Sequence, residues 1–462
     1  MRIALAAKSL AVVALALTAC TPAFSQPALS ATPSPFFPIR PTSTASARQS
    51  LALSTSTPRE WPPPNFGTPG PTQVTPLPLP APVISRPGTF NILLAGSDRR
   101  TTSFRTDVLI VVNFQPEYDL VTMLSIPRDL YVYIPGWQMQ RINTAYYHGL
   151  TTSYPGGGPA LLKDTILYNL GIEIDRVAMV DFDGFIKIID TLGGVDVPVA
   201  CSYTDWHIIN PRRSAEDENN WKLYTVKAGI AHMDGDLALW YSRSRKKSSD
   251  FDRSRRQQEV LRAIYAQALQ LNTLTKVPEL YRQVSSSLET DMDLDYILHL
   301  LPYSARVGEA QVRSVFINKE VLLSWRTPTG AAVLLPDLSK LPALLARALG
   351  PPLKGQSRES ESLIEIRNRT DWESLPELVA ERLNYAGFET RVLDGQGEIT
   401  ETTRLISLQP EVDEAEVEYL LQVLGMSAGQ FRHDPSPNST AKFRLVLGED
   451  FNPCFDPAKI ER

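Results

Sequence analysis

The alternation of apolar and polar residues divides the chain at about residue 88. From there "NILLAG" is a short apolar run that meets the charged turn "SDRR", the pattern of a buried strand ending in a loop. "DVLIVVNF" and "LVTMLSIP" are two further runs of this kind, each followed by polar residues. "GPALLKDTILYNLGI" has helical spacing with a glycine stop, and "RVAMVDFDGFIKIIDTLGGVDVPV" predicts strand, helix and strand with Gly193 and Gly194 at the turn. "ALWY" (238–241) reads as strand-like, and "DFDRSRRQQEVLRAIYAQALQL" predicts a helix starting near Asp250 or Asp252. Alternating strands and helices over this length predict an α/β fold, a three-layer α-β-α domain over residues 88–350. After the polar break "LKGQSRESES", the segment "SLIEIRNRT" predicts a strand, and "DWESLPELVAERLNYAGF" a helix with Asp371 near its cap and Gly387 near its end. "ETRVLDG", "TRLISL", "EVEYLLQVLG" and "KFRLVLG" extend the alternation into a second, smaller α/β domain over 360–450.

The residues before 88 follow other rules. Residues 26–87 are rich in Pro, Ser and Thr, too poor in apolar surface to fold, and predict a disordered linker or stalk. Residues 1–25 have the layout of an export signal: Arg2 and Lys8, then the apolar "SLAVVALALTA". The run ends in "LTAC", which resembles a bacterial lipobox and would make Cys20 the lipidated residue. Ordinary cleavage near "AFS" and an uncleaved signal anchor stand beside it; all three place the body of the protein outside the cytoplasm. Cys201 and Cys454 lie far apart in sequence, and two free buried thiols are as well supported as a pair. No zinc-type Cys/His spacing occurs.

Charge changes the picture further. With 46 Lys and Arg against 51 Asp and Glu, the net charge of −5 argues against a general nucleic-acid binder. Yet "ALWYSRSRKKSSDFDRSRRQQEVL" gathers Arg243, Arg245, Lys246, Lys247, Arg253, Arg255 and Arg256 in one stretch. Charged residues also recur at the strand ends: Asp98, Arg99 and Arg100, then Arg105 and Asp107, then Arg128 and Asp129. Crevices beyond strand ends are where open α/β sheets bind ligands. Two carboxylates with several arginines suit a divalent cation on a diphosphate, because hard cations take carboxylate and phosphate oxygens and guanidinium grips phosphate bidentately. No GxxxxGK[ST] loop or GxSxG elbow is present.

The ordered motifs "NILLAGSDRR", "FRTDVLIVV", "LSIPRDLYVYIPG", "RINTAYYHG", "VDFDGFIKIIDTLGGVDV", "DGDLALWYSRSR" and "DFDRSRRQQEVLRAI" resemble the LytR–CpsA–Psr cell-envelope proteins. "IEIRNRT" with "LPELVAERLNYAGFETRV" resembles the LytR-type C-terminal domain often appended to them. The resemblance implies an exported phosphotransferase that moves a glycopolymer from a polyprenyl-diphosphate carrier to a peptidoglycan hydroxyl, anchored at the cytoplasmic membrane. It implies Mg²⁺, or Mn²⁺, on Asp98 and Asp107, with Asp98, Asp107 and Arg128 as catalytic residues. Arg105, Arg128, Arg245 and Arg253 would hold the diphosphate, with Arg100, Arg243, Arg256 and Gln257 in support. Helices around 160–190 and 256–271 would help line a cleft for the prenyl chain. Two alternatives use the same residues: a polyprenyl-diphosphate hydrolase, and a non-catalytic lipid-binding or regulatory envelope protein. This chain departs from the pattern in Arg99, Arg141 and the "YYHGL" stretch, none of which removes a proposed metal or phosphate residue.

Overall fold

A six-stranded mixed sheet, built on runs that are apolar on both faces, organises the first part of the protein. The structure is a computed structural model that describes residues 80–84, 87–97, 106–210, 213, 216–244, 249–270, 278, 281–282, 285, 288–304, 306–308, 311–351, 363–393, 397–436 and 439–454. Strands β1 (Phe90–Ser97), β2 (Thr106–Gln115) and β3 (Leu120–Ser125) form an antiparallel meander. The hairpin β4 (Tyr131–Tyr133) and β5 (Met139–Arg141), then α1 (Ala145–Thr151) and α2 (Gly157–Leu170), lead to β6 (Arg176–Asp181), which lies parallel to β1. There follow α3 (Phe182–Thr191), β7 (Val195–Val199), the hairpin β8 (Tyr203–Ile208) and β9 (Trp221–Val226), and β10 (Gly229–Met233), which pairs with β7. Next come α4 (Gly235–Arg243), α5 (Asp250–Gln270), β11 (Leu288–Thr290), α6 (Leu294–Ser304) and β12 (Val312–Phe316). The hairpin β13 (Leu322–Arg326) and β14 (Ala332–Pro336) and the helix α7 (Leu341–Leu349) close this part. The sheet order is β11-β6-β1-β2-β3-β12.

Period-two geometry splits each central strand between two cores. Leu109 and Val111 pack with residues of α1, α2 and α7, whereas Ile110 and Val112 face the other way, against Leu261 and Tyr265 of α5. Helices therefore cover both faces of the sheet, and burial on both explains why these strands read as continuous apolar runs. Leu161, Leu162, Ile166 and Leu170 of α2 belong to the first core, so this face of α2 is used in packing and not in lining an open cleft. Gly171 ends α2 in a left-handed conformation, and a Cβ there would stand 2.0 Å from the Pro82 carbonyl oxygen, where residues 80–84 cross the helix end.

A second sheet, of order β16-β15-β19-β17-β18, forms from β15 (Leu363–Asn368), β16 (Glu389–Val392), β17 (Arg404–Ser407), β18 (Phe431–His433) and β19 (Phe443–Leu447). It has its own core, in which Ile364, Ile366, Leu405, Phe443 and Leu445 meet α8 (Leu375–Tyr385) and α9 (Glu414–Leu424). Beside the contacts of α8 with β7, β10 and β12, an ion pair and a disulfide tie it to the first part. Arg262 of α5, almost fully buried, pairs with Glu381 of α8 at 3.1 Å, and Cys201 is joined to Cys454 by a disulfide. The cysteines are thus a pair and not two free thiols; tertiary folding brings them together across 253 residues, which sequence spacing could not show.

Two local expectations are corrected. "ALWY" is helical, within α4, because Asp234 caps that helix by accepting a hydrogen bond from Leu237 N. α8 begins at Leu375 after Ser374, four residues beyond Asp371, with Pro376 in its first turn. The expected signal, with Cys20, and residues 26–79 of the expected linker lie outside the described residues, among which no helix is long and apolar enough to cross a membrane. The end of that linker is corrected: residues 80–84 are ordered, because Ala81 N donates to Tyr168 O and Ile84 N to Gly171 O, each at 2.7 Å.

Replacing Cys201 and Cys454 together by Ser is expected to lower unfolding free energy by about 2–4 kcal/mol, the usual contribution of a native cross-link over a long loop. Denaturant unfolding of the oxidised protein and the double variant checks this, with equal midpoints counting against the bond.

Candidate functional site

The register of the central sheet decides which charged groups meet. Because β2 and β3 are antiparallel, the start of β2 lies beside the end of β3: Ile110 pairs with Ser125, and Ile126 N donates to Leu109 O at 2.9 Å. Asp107, near the start of β2, and Arg128, just past β3, are thereby brought face to face. Arg128 Nη1 donates to Asp107 Oδ1 at 2.6 Å. The third contributor is the first turn of α5, whose Asp250 and Arg253 come down over the same spot. Asp107, Arg128, Asp250, Arg253, Ser254 and Gln257 line one small cleft, floored by Leu109, Ile126 and Phe251.

Arg128 is the hub. Its Nε stands 3.5 Å from Asp129 and 3.7 Å from Asp250, close enough for ionic attraction. Neither group accepts its hydrogen, so Nε is buried without a hydrogen-bond acceptor among the described residues. Burial works against the guanidinium charge, but the hydrogen bond it donates to Asp107 and the fields of Asp107, Asp129 and Asp250 outweigh it and hold the pKa above its ordinary value. Asp129 is shared with Arg141 at 3.3 Å, and Arg253 pairs with Asp250 at 3.4 Å. Three carboxylates and three guanidinium groups therefore stand in one connected set.

The remaining expected residues divide. Gln257 lines the cleft and donates to Ser242 O at 3.3 Å. Arg256, one helical step further on, is 1% exposed and turned inward: it donates to the carbonyls of Tyr241 and Ser244 and lies 4.1 Å over the Tyr203 ring. These bonds fix the end of α4, so a direct phosphate-binding part for Arg256 is corrected to a positioning one. Arg243 is exposed with its guanidinium 3.7 Å over the Phe182 ring, and it does not line the cleft. Asp98, Arg100, Arg105 and Arg245 lie outside the described residues.

The sequence places Asp250 only near the start of a helix, yet it also faces Arg128. Gln258 was overlooked. It is fully buried and donates to Ser125 Oγ at 2.8 Å, fastening α5 to the end of β3. Gln258 sits in the polar run "RSRRQQEV" between Gln257 and Glu259, so no local signal marks it as buried.

A family model described as the LytR_cpsA_psr family matches residues 72–341, more than half of the chain. The chain belongs to the LytR_cpsA_psr family. Polyisoprenyl-teichoic acid–peptidoglycan teichoic acid transferase TagU of Oceanobacillus iheyensis is 34% identical over 214 residues, 46% of this chain and 61% of that protein. Regulatory protein MsrR of Staphylococcus aureus (strain COL) is 30% identical over 238 residues, 51% of this chain and 66% of its own. The crystal structure of TagV from B. subtilis is 28% identical, covers 58% of this chain and 100% of that one, and aligns with a TM-score of 0.46. The matches span less than two thirds of the length of TagU and MsrR. The match to the LytR_cpsA_psr family takes in every residue of the cleft and stops before the second sheet.

If Asp107 and Arg128 hold one another, their substitutions will not add. Arg128→Met alone is expected to cost about 1–3 kcal/mol, since it strands carboxylates in a half-buried site. Asp107→Asn in the same chain should cost measurably less than its effect in wild type. A double-mutant cycle by denaturant unfolding reads the coupling, and strict additivity would contradict the pairing.

Proposed function

We propose that this chain is an exported, membrane-anchored phosphotransferase that moves a glycopolymer from a polyprenyl-diphosphate carrier to a hydroxyl of peptidoglycan. The observation that carries the reading is Arg128: a fixed cation at the end of the central sheet, in a cleft shared with Arg253, with a buried Nε–H left for an acceptor. A diphosphate oxygen is such an acceptor, and it would compete with the surrounding carboxylates for the same guanidinium. The transferase name of the TagU relative supports the substrate class. The LytR-type identity of the second α/β unit, as a smaller C-terminal domain, belongs to the same proposal.

In the transfer, the acceptor hydroxyl oxygen attacks the phosphorus that carries the glycopolymer. A phosphodiester forms, the anhydride P–O bond breaks, polyprenyl phosphate leaves, and the hydroxyl proton passes to a carboxylate, a role we give to Asp98. Arg128 and Arg253 would neutralise the charge that grows on the leaving phosphate, without reorganising at the moment of reaction. Arg256 and Gln257 would hold the loop end that follows α4.

The donor set suits a hard divalent cation. Asp107 keeps Oδ1 on Arg128, and its side chain is 36% exposed toward the cleft, so a carboxylate oxygen can serve a metal that is also held by phosphate. Mg²⁺ or Mn²⁺ on Asp98 and Asp107 would supply charge stabilisation on the diphosphate.

A second reading draws on the name of MsrR, a regulatory protein: the cleft binds a lipid diphosphate without turnover. Purified protein incubated with a lipid-linked donor separates the readings. Transfer predicts a polymer–peptidoglycan conjugate whose formation requires acceptor, and a fall of about 10²–10³ in rate for Arg128→Ala with circular dichroism unchanged. Release of polyprenyl phosphate regardless of acceptor, with no conjugate, would mark a hydrolase. Bound lipid with no product would mark the regulatory reading.

A further inference from the structure

Among the described residues the second sheet has its helices on one face. Ile364, Ile366, Leu405, Phe443, Leu445 and Leu447 point to α8 and α9, and α8 in turn meets β7, β10 and β12 of the first part. By the alternation of strand residues, the opposite face carries the residues in between, and it looks away from the first part. Strand register arranges them in two rows. One runs Arg432, Ile406, Arg444, Glu365, Arg391 across all five strands; the other runs Arg404, Val446, Arg367 across three. Neighbours in a row are about 4.8 Å apart, and the rows about 6.8 Å.

Five arginines thus share one face with two carboxylates, Glu365 and the strand-edge Glu389, in a chain whose net charge is −5. Glu365 is enclosed by Arg391 at 2.6 Å and Arg444 at 2.7 Å. Its burial favours the neutral acid, but the hydrogen bonds from Arg444 and Arg391 prevail and keep the carboxyl below its ordinary range. Together with Glu389 it offsets two of the five charges, and the face keeps a formal excess of three. Arg404 is exposed, and neither Arg367 nor Arg404 has an ion-pair or side-chain hydrogen-bond partner among the described residues.

We propose that this face binds a linear phosphodiester polyanion, so that the second sheet holds the anionic glycopolymer itself. The positive charges are all guanidinium, whose planar donors match phosphate oxygens bidentately, and their rows suit successive charges along an extended chain. The rows contain no aromatic residue, so they offer no stacking platform for the bases of a single-stranded nucleic acid. The proposal deepens the transferase reading and rests on it for which polymer is meant, though binding requires no turnover.

The test uses the full chain, labelled poly(glycerol phosphate) as probe, and fluorescence anisotropy across a salt series. Wild type is expected to bind the probe and not neutral dextran, with affinity falling as salt rises. Arg367→Glu with Arg404→Glu should weaken binding at least about tenfold and lower the slope of log K against log salt by about two. The exposed Arg404→Glu alone should give a smaller loss in the same direction. Unchanged affinity in folded variants, or equal binding to dextran, overturns the proposal. So does tight binding to phosphatidylglycerol–phosphatidylcholine vesicles that excess poly(glycerol phosphate) fails to displace, which would mark a membrane contact. Asp107→Ala keeps the two readings apart: it should abolish transfer and leave probe binding intact. Probe binding by wild type without any transfer would sink the transferase reading alone.

Discussion

The contact between Arg128 and Asp107 is the constraint on which the rest of the site depends. It joins the turn just past one central strand to the start of its antiparallel neighbour, so its geometry follows from sheet register and the short turn after β3. A guanidinium held this way costs desolvation, which three carboxylates offset. The outcome is a cation fixed before any ligand arrives, which is what electrostatic stabilisation of a leaving phosphate requires. The same carboxylates limit it: an anion that enters must compete with Asp107, Asp129 and Asp250 for one guanidinium. A metal on Asp107 would shift that competition toward the anion.

The second half of the cleft depends on how α5 is held. Its first turn supplies Asp250 and Arg253, but its position is set deeper, by Gln258 on Ser125 and by Arg256 on the carbonyls that end α4. These buried polar bonds leave the helix little freedom to slide, because each broken one would leave a donor unsatisfied in a dry interior. The basic stretch is accordingly not one patch. Arg253 faces the cleft, Arg256 is a structural pin, and Arg243 stacks on Phe182.

What was legible in the sequence is what local rules govern. The central strands showed as apolar runs because both faces are buried, and α5 showed through its acidic start and long helical period. Asp107, Arg128, Arg253 and Gln257 could be placed by motif, and they share a cleft. Three features escaped for a common reason, namely dependence on distant partners. The Cys201–Cys454 bond joins residues that only tertiary folding brings near, Arg256 turns inward because Tyr203 and two carbonyls await it, and "ALWY" is helical because of the Asp234 cap before it. Three or four apolar residues carry no period of their own, so local context decides between strand and helix.

The protein thus uses arginine in two physically different ways. In the cleft, charge is enclosed and balanced, and its interactions are screened little by salt. On the open face of the second sheet, charge is exposed and in excess, so any partner there must be held by attractions that salt weakens within about 8–10 Å. The first arrangement suits one small, highly charged group held in fixed geometry. The second suits a long ligand that can slide from one guanidinium to the next. The disulfide and the Arg262–Glu381 pair keep the two arrangements on one frame, so a polymer held on the face would be tethered to the molecule that carries the cleft.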